Sequence, residues 1–136
     1  MKVAIIGATG LVGQKMLQVL EEQKLRLDEI IVAASEKSVG KKILFQDKEL
    51  TIMSVEQVIE AKPNIAIFSA GADASLKYAP LFATNGTYVI DNSSAWRKDP
   101  NIPLVVPEIN ASDININLSF GLFLNNSIEK ICPNSC

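Results

Sequence analysis

Apolar and polar positions fall in blocks along this chain. Val3-Ala4-Ile5-Ile6, Ile30-Ile31-Val32-Ala33, Ile65-Ala66-Ile67-Phe68 and Tyr88-Val89-Ile90-Asp91 are short, almost unbroken apolar runs. Runs of this kind predict strands covered on both faces, as in a parallel sheet. After the first of them, Leu11, Val12, Met16, Leu17, Val19 and Leu20 recur at helical spacing, with Gln14, Lys15, Gln18 and Glu21 largely opposite. That pattern predicts an amphipathic helix from Leu11 to Gln23. Strand, helix and strand then make a right-handed βαβ unit. Ile43-Leu44-Phe45 and Leu50-Thr51-Ile52 flank Gln46-Asp47-Lys48, which predicts a hairpin or two short edge strands. A short helix from about Val55 to Glu60 ends before Pro63. A longer one, from about Asp73 to Thr84, stops at Asn85-Gly86; Pro80 must kink it or lie near its first turn. Leu104-Val105-Val106 reads as a further strand.

The alternation breaks down towards the C-terminus. Residues 1–110 read as one α/β domain without repeats or linkers. Residues 111–136 mix asparagines with the apolar run Leu118-Ser119-Phe120-Gly121-Leu122-Phe123-Leu124, which follows no clear period. This segment is set apart as an atypical C-terminal tail.

Composition narrows the function classes. A chain of 136 residues, 48% hydrophobic and 21% charged, is large enough to bury one core. The net charge of −2 gives no reason to expect nucleic acid as a partner. No apolar run approaches the roughly 20 residues that span a bilayer, and Met1-Lys2 leads directly into a strand-like run rather than a signal peptide. The expectation is a cytoplasmic protein without a membrane partner. There is no histidine, and the two cysteines, Cys132 and Cys136, stand alone near the end. A zinc site is therefore not expected, and a Ser-His-Asp or Cys-His constellation cannot be built from this chain.

The chemistry-bearing motif is Gly7-Ala8-Thr9-Gly10-Leu11-Val12-Gly13, directly after the first strand and opening the first helix. Its G-x-x-G-x-x-G spacing is a variant of the dinucleotide fingerprint. The chain must turn sharply, let a pyrophosphate approach its backbone, and pack the helix tightly on the sheet; each task favours a residue without Cβ. The helix N-terminus then offers unpaired N–H groups to the phosphates. In this context the motif predicts a Rossmann-type, doubly wound fold. After the second strand, where an NAD-binding fold usually places an acid, stands Ser35, followed by Lys37, Ser38 and Lys41. Hydroxyls and ammonium groups suit a 2′-phosphate, so NADP is favoured over NAD; Glu36 beside them, and an ordinary solvated loop, keep the alternative open. Ser69-Ala70-Gly71 follows the third core strand, as either a nucleotide-lining loop or a plain turn. Arg97, after Asp91-Asn92-Ser93-Ser94, is a guanidinium suited to phosphate or carboxylate, or else only solvated.

Six segments together resemble the N-terminal domain of aspartate-semialdehyde dehydrogenase. They are Gly7 to Gly13, Ser35 to Lys41, Ser69-Ala70-Gly71, Lys77-Tyr78-Ala79-Pro80, Asp91 to Arg97, and Val105-Val106-Pro107-Glu108-Ile109-Asn110, in order through residues 2–110. The resemblance implies reductive dephosphorylation of aspartyl phosphate to the semialdehyde, through a cysteine thioacyl intermediate and hydride from the reduced nicotinamide of NADP (NADPH), in lysine, threonine and methionine biosynthesis. It implies that Thr9, Gly10, Leu11 and Val12 hold the pyrophosphate and that Lys37 and Ser38 hold the 2′-phosphate, with Gly7, Gly13 and Ser35 also counted among the cofactor-binding residues. Ser69, Ala70, Gly71 and Asn92 would line the cofactor site, with Asn92 near the reacting centre. Arg97 would grip the substrate or inorganic phosphate.

The tail departs from the family pattern. The family's Pro-Asn-Cys nucleophile motif is echoed by Pro133-Asn134-Ser135-Cys136, with the cysteine displaced by one residue. Cys136 is the candidate nucleophile, although its own carboxylate opposes the thiolate. The family is homo-oligomeric, and its histidine-bearing substrate and dimerisation domain finds no counterpart in these residues. The expectation is therefore a truncated or frameshifted product that binds NADP but is catalytically incomplete. The alternatives are a non-catalytic nucleotide-binding module, a non-functional fragment, or a relative of N-acetyl-glutamyl-phosphate reductase. The Asp91-to-Arg97 and Val105-to-Asn110 segments argue against the last. No Tyr-x-x-x-Lys pair supports an extended short-chain dehydrogenase.

Overall fold

The computed structural model describes residues 1–110 and 112, and the backbone of residues 122–125. Six parallel strands form one sheet in the order β2-β1-β5-β6-β8-β7. They are β1 (Lys2–Ile6), β2 (Glu29–Ala33), β5 (Ile65–Phe68), β6 (Tyr88–Asp91), β7 (Leu104–Val105) and β8 (Leu122–Asn125). Helices α1 (Leu11–Glu22), α2 (Val55–Glu60), α3 (Ala72–Thr84) and α4 (Pro107–Asn110) connect them. A separate antiparallel hairpin, β3 (Lys42–Phe45) and β4 (Lys48–Thr51), follows a 3-10 turn at Glu36–Ser38. This is the doubly wound α/β fold expected from the apolar blocks.

The blocks are unbroken because both faces of the sheet are covered. Ala4 and Ile6 join Ile31, Ala33, Ala66, Phe68 and Val89 under Val58 of α2 and Ala79 and Phe82 of α3. Val3 and Ile5 point the other way, with Val32, against Leu17 of α1 and Phe45 and Ile52 of the hairpin region. Successive strand side chains alternate between faces, so neighbouring residues serve opposite cores. Phe68 and Phe82 meet edge to face at 5.5 Å between ring centroids, a favoured aromatic geometry.

Local sequence fixes the connections. Gln46 and Asp47 have φ of 49° and 60°, which makes the hairpin loop a two-residue turn matching strand twist. Ser54 caps α2: its hydroxyl accepts from Gln57 N–H while the Gln57 side chain accepts from Ser54 N–H, a reciprocal capping box. Pro80 lies inside α3, which continues to Thr84, rather than near its first turn; its missing N–H removes one rung of the ladder. At the other end of α3, Gly86 N–H donates to Ala83 O and Thr87 N–H to Phe82 O. With Gly86 at φ 82°, this is a Schellman stop. A Cβ at Gly86 would meet nothing within 4 Å, so Gly86→Ala carries only the conformational cost of the left-handed backbone. The expected loss is about 1 kcal/mol, read as a lower denaturation midpoint at unchanged m.

One element was not expected. Within the segment set apart as a tail, β8 lies between β6 and β7 and pairs parallel with both. Apart from Ser112, the remaining tail residues, Cys132 and Cys136 among them, lie outside the described residues.

Candidate functional site

The strand order places β2 on one side of β1 and β5 on the other. Chain direction therefore switches beyond the C-terminal ends of β1 and β5, where open α/β sheets bind ligands. The glycine loop occupies that point. Gly7 and Ala8 N–H both donate to Ala33 O, at 2.9 and 3.0 Å, tying the loop to the end of β2. Ser69 N–H and its hydroxyl donate to Ile6 O, at 2.8 and 3.2 Å, tying it to the end of β5.

The glycines carry different burdens. Gly7 has φ 92°, and a Cβ there would lie 2.8 Å from the Ser69 carbonyl carbon. It lets the loops after β1 and β5 touch. At Gly13 a Cβ would lie 2.2 Å from Gly7 O, so this glycine lets α1 pack onto its own entry loop. Gly10 is different, since its Cβ would meet Gly7 O at 3.4 Å, an ordinary contact. It is the N-cap of α1, with no side-chain cap and no acid in the first turn. The first N–H groups of α1 therefore carry no side-chain cap, and Thr9, Gly10 and Leu11 are exposed at this end of the helix.

A cleft of about 670 Å³ opens there. It brings together Gly7, Thr9 and Gly10 from the first loop, Ser35 and Lys37 from the second, and Ser69 and Ala70 from the third. Three loops that are distant in sequence converge on one opening. Leu11, Val12, Gly13, Ser38, Gly71, Asn92 and Arg97 do not line it. Gly13 is buried, and Leu11 is 74% exposed at the helix start. Lys41, grouped with Ser35 and Lys37 on sequence spacing, lines a different cleft of about 380 Å³ between α1 and the hairpin. Lys37 sits within the turn at Glu36–Ser38, and Lys41 follows it beyond Gly40, at φ 84°.

The structure adds residues beyond the candidate site residues of the sequence. Glu36, Ser54, Val55, Glu56, Ala74 and Tyr78 also line the larger cleft. Tyr78 Oη donates to Glu56 Oε1 at 2.7 Å, and Lys77 Nζ donates to Tyr78 Oη at 2.9 Å. The Tyr78 bond, helped by Glu56's own N–H, Ser54 and Lys77, holds the Glu56 carboxyl below its ordinary range. The same hydroxyl holds the Lys77 ammonium above the ordinary lysine range.

Beyond β6, Asn92 N–H donates to Phe68 O at 3.1 Å, next to the end of β5. Asp91, 1% exposed, anchors the turn that follows. It accepts from Ser93 N–H and Ser93 Oγ, both at 2.8 Å, and from buried Ser75 Oγ of α3. Trp96 Nε1 in turn donates to Ser75 Oγ at 2.8 Å. Arg97 is exposed on this turn, with its N–H donating to Ser94 O at 3.4 Å. Further on, Asn110 brackets the end of β7: its Oδ1 accepts from Val106 N–H and its Nδ2 donates to Leu104 O. Among the described residues, no helix is long and apolar enough to cross a membrane, and no group of three or more His, Cys, Asp or Glu is placed to hold a metal ion.

Comparison with known proteins places the chain beside the semialdehyde dehydrogenases. Residues 2–116 fit the model described as semialdehyde dehydrogenase, NAD binding domain. The chain is 47% identical over 131 residues to the aspartate-semialdehyde dehydrogenase of Aquifex aeolicus, covering 96% of this chain and 38% of that protein. It superposes on aspartate-semialdehyde dehydrogenase II of Vibrio cholerae with a TM-score of 0.86 at 44% identity, over 91% of this chain and 40% of that one. A more distant likeness in fold, with a TM-score of 0.71 at 19% identity, covers 91% of this chain and 42% of the Candida albicans aspartate-semialdehyde dehydrogenase solved with NADP. The chain thus spans about two-fifths of the length of these relatives.

Proposed function

The chain belongs to the semialdehyde dehydrogenase family, matched through its NAD-binding domain, and we propose that it is the NADP-binding part of an aspartate-semialdehyde dehydrogenase. The convergence of the loops after β1, β2 and β5 on one cleft carries this reading. The backbone at Thr9-Gly10 and the start of α1 receives the pyrophosphate, where N–H donors and the helix dipole favour negative charge. Ser35 and Lys37 receive the 2′-phosphate, and no acid stands at position 35 to bind a bare ribose. Ser69 and Ala70 border the path towards the nicotinamide, and Asn92 stands at the next strand end, beside β5. Arg97 takes the phosphate or carboxylate of an aspartyl phosphate substrate.

The nicotinamide, when bound, supplies hydride transfer; the chain's own contribution is to hold and orient it. Reduction of aspartyl phosphate through a cysteine thioacyl intermediate is the reaction proposed for the whole protein, with Cys136 as the candidate nucleophile in this chain. The sequence has no histidine, so this chain alone is expected to bind the cofactor without turning over substrate. In a whole enzyme of this kind, homo-oligomeric assembly in the cytoplasm accompanies the reading.

Fluorescence titration with NADPH and NADH tests it. Saturable NADPH binding, tighter than NADH, is the expected result; the absence of saturable binding to either overturns the reading. Lys37→Ala removes one charge-assisted bond to the 2′-phosphate, worth about 1.5 kcal/mol. NADPH affinity should then fall about tenfold while NADH affinity holds. Equal losses for both cofactors would remove Lys37 from the 2′-phosphate site.

A further inference from the structure

Across the cleft from Ser35, α2 and α3 present a hydrogen-bonded pair whose direction is fixed. Lys77 has no lone pair to offer, so its ammonium donates to Tyr78 Oη and the tyrosine proton is directed at Glu56 Oε1. Lys77 Nζ also lies 4.5 Å from the centre of the Tyr78 ring. A carboxylate carries about four acceptor sites. Tyr78 Oη donates to Glu56 Oε1, and the exposed carboxylate lines the cleft.

The topology says what would reach it. A parallel bridge between Ala33 and Met53 sets Ser54 beside the end of β2. With the pyrophosphate at the glycine loop and the adjoining ribose at Ser35, as proposed above, the base of the dinucleotide would face the rest of the cleft lining, where Val55, Ala74 and the Tyr78 ring offer apolar surface to a flat ring. Glu56 lines the same cleft.

We propose that Glu56, oriented by Tyr78, reads the 6-position of the purine and selects a 6-amino over a 6-oxo base. Approached from its N7 side, an exocyclic amino group donates to the carboxylate, whereas a 6-oxo group sets only lone pairs against the negative charge there, its N1–H lying on the other side. The inference rests on the cofactor reading above and adds base selectivity to it. The test is titration of the chain with NADPH and with its 6-oxo analogue, reduced nicotinamide hypoxanthine dinucleotide phosphate, in wild type, Glu56→Gln and Tyr78→Phe. Wild type should bind NADPH about tenfold more tightly, the worth of one charge-assisted bond. Glu56→Gln should bring the ratio near one, because an amide can donate as well as accept. Tyr78→Phe, which frees the carboxylate to turn away, should give an intermediate ratio. Equal binding of both nucleotides by wild type overturns the inference and leaves the cofactor reading standing. So does a Glu56→Gln variant in which both affinities fall together, the mark of a purely structural contact. Binding of neither by wild type overturns both.

Discussion

Gly13→Ala is expected to cost roughly 3 kcal/mol of stability, at the upper end of overpacking effects, and to remove NADPH binding. On an exposed helix the same change would be favourable, since alanine exceeds glycine in helix propensity by about 1 kcal/mol. Here the new Cβ would lie 2.2 Å from Gly7 O and 2.9 Å from the Ala8 Cα. Both are backbone atoms held by the hydrogen bonds of Gly7 and Ala8 to Ala33 O, so no side chain can swing aside. Relief requires α1 to lift from the loop, and its first N–H groups then move from the pyrophosphate position. Urea unfolding should show a lower midpoint at unchanged m. Gly10→Ala is the control. Its Cβ meets only Gly7 O at 3.4 Å, so stability should change by less than about 1 kcal/mol while NADPH affinity falls, because the methyl stands where the phosphate approaches. A Gly13→Ala protein as stable as wild type would show that the close approach of α1 is not rigid.

Physical coverage decided what could be read in advance. β1, β2, β5 and β6 announced themselves because both faces are covered and, apart from Lys2, Glu29 and Asp91, every position is apolar. The Gly7–Gly13 loop was legible because close backbone approach leaves a mark in residue type at fixed spacing. β8 was not. It is inserted between β6 and β7, although it follows both in the chain, and the asparagine-rich surroundings of Leu118 to Leu124 hide any period. Lys41 illustrates the limit of spacing: it is four residues from Lys37, yet Lys37 lies in the 3-10 turn and Lys41 beyond Gly40, and the two line different clefts. Glu56 and Tyr78 lie 22 residues apart and meet through the packing of α2 beside α3. Tyr78 was visible only inside the Lys77-Tyr78-Ala79-Pro80 resemblance, and Glu56 read as one acid of an ordinary helix. A contact between two surface helices has no local signature.

Asp91→Ala should destabilise the domain by roughly 3 kcal/mol, and its expected effect reaches the turn that carries Arg97. The carboxylate is buried and receives Ser75 Oγ, Ser93 N–H and Ser93 Oγ. Removing it strands these donors where water does not readily replace the acceptor, and an unmet buried donor costs about 1–3 kcal/mol. Ser75 also receives Trp96 Nε1, so the disturbance passes from α3 to the far side of the turn. Asp91→Asn separates shape from charge. Its oxygen can still accept from Ser93 N–H, and the Ser93 hydroxyl can rotate to accept from the amide. Ser75, already accepting from Trp96, is less well served, so a loss of about 1 kcal/mol is expected. Near-ultraviolet circular dichroism of Trp96, the only tryptophan, reports the turn directly. Its signal should collapse in Asp91→Ala below the unfolding transition and persist in Asp91→Asn. If both variants unfold at the wild-type midpoint with the tryptophan signal intact, the turn is held by its own backbone and Asp91 does not anchor it.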